Sequence, residues 1–283
     1  MRIANIDGRL KLLIGTGAVD VEHASGSRFS ADPQAAYEDF ESLRAWAETV
    51  TESTEPFEPE RAGPPVPAPR QVFAIGLNYR EHAAEAGEAA PDKPIVFTKY
   101  ISSFSGPVTE VELPSGAVDW EVELVAVIGK TARNVSAEHG WDYVAGLTVG
   151  QDISERALQM HGGSPQWSLA KSLPGFSPMG AVLVTPDELP DCNNLHIGCA
   201  INGEVVQDSR TSLMIYPVPD LIAYLSGLVT LYPGDVIFTG TPSGVGVARK
   251  PPRFLRVGEH LRSWVEHIGT LDQRLVASKS IGA

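Results

Sequence analysis

Cysteine is scarce in this chain: two among 283 residues, Cys192 and Cys199. One such pair draws no disulfide framework. With no further cysteine beside it, a thiolate metal site is excluded too, and a reducing cytoplasm is the expected compartment. Long hydrophobic runs are missing as well. The longest, Leu221 to Tyr232, is interrupted by Ser226, Gly227 and Thr230 and is too short to cross a bilayer. The first residues, Met1 to Gly8, carry charge at Asp7 where a signal peptide needs an apolar core, so no targeting segment is expected. Positive charge is in deficit, with 22 Lys and Arg against 35 Asp and Glu and a formal charge of −13. That balance argues against nucleic acid and membrane as partners. It leaves room for an anionic small molecule, because a bound cation can reverse the field of one pocket.

What is present is ordinary for a soluble globular protein, 43% hydrophobic and 20% charged residues. Residues 1 to about 30 read as short strands with turns at Asp7-Gly8 and Ser25-Gly26. Asp32-Pro33 then opens a helix whose apolar stripe is Ala36, Phe40, Leu43, Ala47 and Val50. Six prolines between Thr51 and Arg70 mark a linker. The expected division is therefore a small N-terminal α/β module over 1–70 and a main domain over 71–283.

The main domain is strand-rich. Strand patterns fall at Val72 to Gly76, Pro94 to Lys99, Asp119 to Gly129, Ala145 to Gly150, Gly180 to Val184, Leu195 to Ile201, Asp235 to Thr239 and Leu261 to Val265. Asn202-Gly203 is a two-residue hairpin signal. Helical spacing is confined to short stretches near Tyr79 to Ala86, Ser154 to Met160 and Pro219 to Ser226. The expected class is α+β, mostly β, with the main domain closed as a barrel or roll.

The chemistry starts in Asp119-Trp120-Glu121-Val122-Glu123, at the head of a strand. Residues two apart share a face, so Glu121 and Glu123 point the same way as Val125 and Val127, toward an interior. Desolvated like charges need a proton, a basic partner or a divalent cation, and no Lys or Arg occurs in the segment before Lys130. Asp152, in Gln151-Asp152-Ile153-Ser154, adds a third carboxylate at a strand end, suited to Mg2+ or Mn2+. Read alone, it caps the helix that follows. His82 and Glu85 are three apart, hence on one helix face, where the carboxylate can fix the imidazole tautomer and leave the other nitrogen as a base. The plainer reading is an exposed polar pair. Lys171 stands among small and apolar residues and could hold a carboxylate or an oxyanion. The glycine-dense loop Thr239 to Gly246 offers backbone N–H groups to an anion, and matches neither a nucleotide P-loop nor a dinucleotide fingerprint.

The order of these segments is more specific than any one of them. Gly-x-Asn-Tyr-x-x-His-x-x-Glu, Pro-Ile-Val-Phe-Thr-Lys, Asp-Trp-Glu-Val-Glu-Leu, Gln-Asp-Ile-Ser, Leu-Ala-Lys-Ser and Thr-Gly-Thr-Pro-Ser-Gly-Val-Gly together resemble the fumarylacetoacetate hydrolase family over residues 71 to 277. The likeness is to its short branch of acylpyruvases and oxaloacetate decarboxylases. It implies a β-roll or barrel assembled as a homodimer, with Glu121, Glu123 and Asp152 as ligands of Mg2+ or Mn2+, Ca2+ belonging to the same donor class. It further implies His82 and Glu85 as base and orienting carboxylate on a lid, Lys171 as a catalytic and substrate-binding residue, and Gln159 and Thr241 as substrate contacts. Met160 to Ser168 would set substrate choice.

The implied activity is hydrolysis of a C–C bond in a 2,4-dioxo acid of the acylpyruvate or fumarylpyruvate kind, through an enolate on the metal, with a small oxo acid as the only partner besides a second copy. Decarboxylation of oxaloacetate or isomerisation of a 2-hydroxy-diene-dioate is the alternative. A metal-dependent oxo-acid binder without catalysis is the third reading.

Overall fold

The computed structural model describes residues 1–278, so the last five residues of the expected main domain lie outside the described residues. Its centre is the strand Val122–Ile128, whose seven residues are all buried. Alternation sorts them into two layers. Val122, Leu124, Ala126 and Ile128 pack with Ile197, Cys199 and Leu261, whereas Val125 and Val127 pack with Tyr37, Phe40 and Leu43 of the N-terminal segment. A strand covered on both faces is apolar on both, as Leu124 to Ile128 are in the sequence, with Glu123 the one charged residue it buries.

Eleven strands form the main sheet. Val122–Ile128 lies between Val144–Gln151 and Val236–Phe238, both antiparallel to it, and Val236–Phe238 continues in parallel to Val72–Gly76. Residues 1–70 extend the other end, because Arg2–Ile6 pairs with Val182–Val184 in the register Ile3 to Leu183. Val108–Leu113, His196–Ile201, Glu204–Arg210, His260–Val265 and Gly269–Ala277 make a second sheet of five strands. Asn202 and Gly203 turn its hairpin with φ of 51° and 86°.

Three expectations are corrected here. Among the described residues neither sheet closes on itself, so there is no barrel: the main sheet ends on Glu55–Pro56 and Ile95–Phe97. With a separate layer on each face, the central strands are buried without curling into a ring. The helix expected from Asp32 is broken into a 3-10 turn, Gln34–Tyr37, and an α-helix, Phe40–Ala47. Asp39 causes the break, since its side chain accepts from Ser42 N–H and makes it a new N-cap. Last, Asp119 to Gly129 is not one strand. Val118–Asp119 pairs with Ser154–Glu155, and the ladder restarts at Val122. In between, Glu121 N–H donates to the side chain of Gln151 and Val122 N–H to that of Gln207. Side-chain amides replace a neighbouring strand at this point, which opens a notch beside Glu121.

Candidate metal and substrate site

The notch gathers the three acids. Asp152 follows directly on Val144–Gln151, and its N–H donates to Glu121 O at 2.9 Å. Glu123 stands opposite Gly150 in the ladder. All three carboxylates are buried, and one oxygen from each lies within 4.8 Å of the others. The bare cap reading of Asp152 is not realised: Glu155 accepts the N–H groups of Ala157 and Leu158 and caps the short helix Arg156–Gln159 instead.

Cations reach these acids from distant segments. Lys171 Nζ donates to Glu121 Oε2 and Asp152 Oδ2, both at 2.6 Å. Arg156 Nη2 donates to Glu121 Oε1 at 2.6 Å, and its Nε to Asp119 Oδ2 at 2.9 Å. Lys99 is fully enclosed, with its ammonium on Asp152 and on the carbonyl of Lys171. Burial would raise the carboxyl of Glu121, but Lys171 and Arg156 outweigh it and hold that group at about 2. Glu123 is treated oppositely. Burial, then the charges of Asp152 and Glu121, push it well above the usual carboxylate range. Its one side-chain hydrogen bond among the described residues comes from Gly240 N–H at 2.8 Å. An all-carboxylate donor set in which one member has no basic partner fits a hard divalent cation, and Glu121, Glu123 and Asp152 are the residues that would hold it.

His82 and Glu85 meet as the spacing requires, with His82 Nδ1 2.8 Å from Glu85 Oε1 on the helix Arg80–Glu85. The exposed-pair reading fails, because His82 is buried and faces the same cavity as Glu121. Glu85 is in turn held by Gly244 N–H at 3.0 and 2.9 Å to its two oxygens. The glycine-dense loop therefore does bind anions, but they are the protein's own. Gly240 serves Glu123, Gly244 serves Glu85, and Gly246 and Val247 serve Asp119 at 2.7 and 3.0 Å. Glycine is required at Gly244, whose φ is +106° and where a Cβ would stand 2.2 Å from the carbonyl of Val206.

The cavity has a volume of about 760 Å3 and brings His82, Glu121, Gln159, Lys171 and Thr241 to one wall. Within it, two side chains also bond to the protein itself. Lys171 spends two of its three ammonium protons on Glu121 and Asp152 and so balances the acids. Thr241 Oγ1 donates to Val122 O at 2.9 Å and accepts from Gln207 at 2.8 Å. Gln159 accepts from Arg156 Nη1 at 2.9 Å through its oxygen, which leaves its amide N–H groups for the cavity. Sequence reasoning missed Lys99, Arg156 and Asp119 as members of the constellation. The available signal was their place in or beside the segments that carry the resemblance, Lys99 closing Pro-Ile-Val-Phe-Thr-Lys, Asp119 opening Asp-Trp-Glu-Val-Glu-Leu and Arg156 standing two residues after Gln-Asp-Ile-Ser.

An acidic cluster able to hold a metal, facing a His–Glu pair across one cavity in a mostly β fold of two mixed sheets, is the class of protein that fold and site define. The chain belongs to the fumarylacetoacetate hydrolase family: the model of the fumarylacetoacetate (FAA) hydrolase C-terminal region matches residues 71–276. It is 47% identical over 214 residues to the oxaloacetate tautomerase FAHD2A, mitochondrial, of Homo sapiens, covering 75% of this chain and 68% of that protein. A crystal structure of a provisionally named HpcE protein from Mycobacterium smegmatis superposes with a TM-score of 0.93 at 54% identity, covering 99% of this chain and 100% of that one. Maleylpyruvate hydrolase from Sphingobium sp. SYK-6, solved with manganese(II) and pyruvate, superposes with a TM-score of 0.82 at 29% identity, covering 99% and 100%.

Proposed function

We propose that this chain is a divalent-metal-dependent enzyme of 2-oxo acids, and that its first activity is proton transfer beside the keto group, the keto–enol tautomerisation of an oxaloacetate-like acid. The observation that carries this reading is the His82–Glu85 pair facing the acidic cluster across one cavity. Glu85, fixed by Gly244, favours the tautomer with hydrogen on Nδ1, so Nε2 of His82 is the atom that accepts and returns the proton. When bound, Mg2+ or Mn2+ supplies Lewis-acid stabilisation of the negative charge that develops on the substrate's keto oxygen. Lys171 and Arg156 keep Glu121 ionised and oriented, and Gln159 presents amide N–H groups to the substrate. The human relative, an oxaloacetate tautomerase by name, supports this order of activities.

C–C hydrolysis of an acylpyruvate, expected first from the sequence, is the second reading. It draws support from the maleylpyruvate hydrolase neighbour and needs the same base to activate water. No helix among the described residues is long and apolar enough to cross a membrane. Scarce cysteine suits any reducing compartment, and the human relative's name places that protein in mitochondria rather than in the cytoplasm.

The ultraviolet absorbance of the enol, followed for oxaloacetate and for a 2,4-dioxo acid with Mg2+, Mn2+ or EDTA, tests both. Tautomerisation should depend on the metal and fall about 10²- to 10⁴-fold in His82→Ala, with metal affinity kept. Turnover that survives EDTA, or an unchanged rate in His82→Ala, would overturn the proposal, and no turnover above the spontaneous rate with either acid would leave oxo-acid binding without catalysis.

A further inference from the structure

Each carboxylate of the acidic cluster has an oxygen tied back into the protein, and each tie comes from a different donor. Glu121 Oε1 takes Arg156 Nη2 at 2.6 Å, Glu123 Oε2 takes Gly240 N–H at 2.8 Å, and Asp152 Oδ1 takes the ammonium of Lys99. Of the oxygens left over, Glu121 Oε2 and Asp152 Oδ2 meet on the single ammonium of Lys171, at 2.6 Å each. Glu123 Oε1 accepts no hydrogen bond among the described residues.

Lys99 differs from the other two donors in its isolation. Arg156 faces the cavity, and Gly240 belongs to the loop that also holds Glu85. The side chain of Lys99 is wholly enclosed and does not line the cavity, so it reaches a ligand only through Asp152 and the main chain of Lys171. Its ammonium also donates to the carbonyls of Lys171 and Phe176, and the ring of Phe238 lies 5.7 Å away. The backbone is fixed on both sides of it, Thr98 N–H donating to Ser168 Oγ at 3.3 Å and Tyr100 N–H to Ser172 Oγ at 3.0 Å. An ammonium sealed from water carries a large desolvation cost, which the bond to Asp152 offsets. That bond also turns one carboxylate oxygen away from any ion in the cluster, and this matters for ion size. Ca2+ takes about six to eight oxygens, often through bidentate carboxylates, whereas Mg2+ and Mn2+ take about six in an octahedron and fill it with water.

We propose that Lys99 is a metal-selectivity residue: by holding Oδ1 it confines Asp152 to one ligating oxygen, Oδ2, and so tunes the cluster to small octahedral cations against Ca2+. Arg156 and Gly240 confine Glu121 and Glu123 in the same way. The inference rests on the metal reading of the three acids and adds what chooses the ion.

Affinities for Mn2+ and Ca2+, measured by calorimetry on the parent and on Lys99→Met, test it without any turnover. Methionine fills much of the space of lysine and donates nothing, so Oδ1 is released and one positive charge is lost. The lost charge tightens both ions, and the released oxygen tightens Ca2+ further. The preference of the parent for Mn2+ over Ca2+ should therefore narrow about tenfold in the variant. A preference that stays the same, whether both affinities move together or neither moves, would overturn the assignment. A second measurement needs no variant and decides the matter if Lys99→Met does not fold. Electron–nuclear double resonance on bound Mn2+ should count about three water ligands in the parent, about six positions less one for each carboxylate. Fewer waters mean a bidentate carboxylate and overturn the selectivity. More waters take an acid out of the ligand set, and a parent that binds neither ion removes the metal reading altogether, so that failure is told apart from the first.

Discussion

Glu123 is the residue on which the site turns. It is nearly inaccessible, has two acids as neighbours and one backbone N–H as donor, and its carboxyl is driven upward by burial and those charges. Removing its charge should therefore cost the metal-free protein nothing. Glu123→Gln should melt at or above the parent temperature without metal. The stabilisation that the parent gains from Mn2+, about 2.7 kcal/mol at a hundred times Kd, should largely disappear. A variant that keeps that gain would remove Glu123 from the ligand set. At this scale the sequence was readable for the acids and opaque for their partners. Glu123 declares itself through strand alternation with Val125 and Val127, and Glu121, although it stands in the gap before the ladder restarts, is brought to the same cluster. Lys99, Arg156 and Lys171 lie 22 residues before and 35 and 50 after Glu121, and only the folded chain shows that they converge on it and Asp152.

Elements were legible wherever one physical cause dominated. The Asn202-Gly203 hairpin and the apolar run Leu124 to Ile128 follow from turn geometry and two-sided burial. Elements whose ends are decided by a side chain competing with the backbone were not, as with Asp39 in the first long helix and Gln151 and Gln207 at the gap before Val122. The loop after Val236–Phe238 belongs to this second kind. Its pattern announces anion binding but not that the anions are Glu123, Glu85 and Asp119. Gly244→Ala tests it as an element. A side chain at φ +106° is strained by about 1–3 kcal/mol, and the Cβ also meets Val206 O. The melting temperature should drop by several degrees, and oxo-acid turnover should fall with it as Glu85 loses its anchor. An unchanged rate would mean that Glu85 does not depend on this loop.

For the molecule as a whole, the open edge of the main sheet invites a partner. Ile95 and Val96 on the edge strand and Tyr100, Ile101 and Leu169 beside it are exposed, and Tyr100 N–H on Ser172 Oγ at 3.0 Å joins the two segments that carry them. The homodimer implied by the family resemblance would cover such a face. Sedimentation at micromolar concentration should show twice the mass of the chain, and Ile101→Glu should shift it toward the monomer; a monomeric parent would leave this face to another use. Whole-molecule architecture was the level least visible in the sequence. The strand-rich character was apparent, but Val108–Leu113 and Gly269–Ala277 of the second sheet were not read as strands, and whether strands close into a ring depends on which layers cover them, which is set by contacts between distant residues.

The segment Gly240 to Val247 acts as a common jig for Glu85 beside His82, for Glu123 of the acidic cluster and for Asp119 behind Arg156, because eight consecutive residues carry the grips on all three. Any displacement of that span would misalign everything at once, so it has little latitude to vary. A change on the surrounding cavity wall, at Met160 or Pro165 for instance, leaves those grips intact, so the walls can vary where this span cannot.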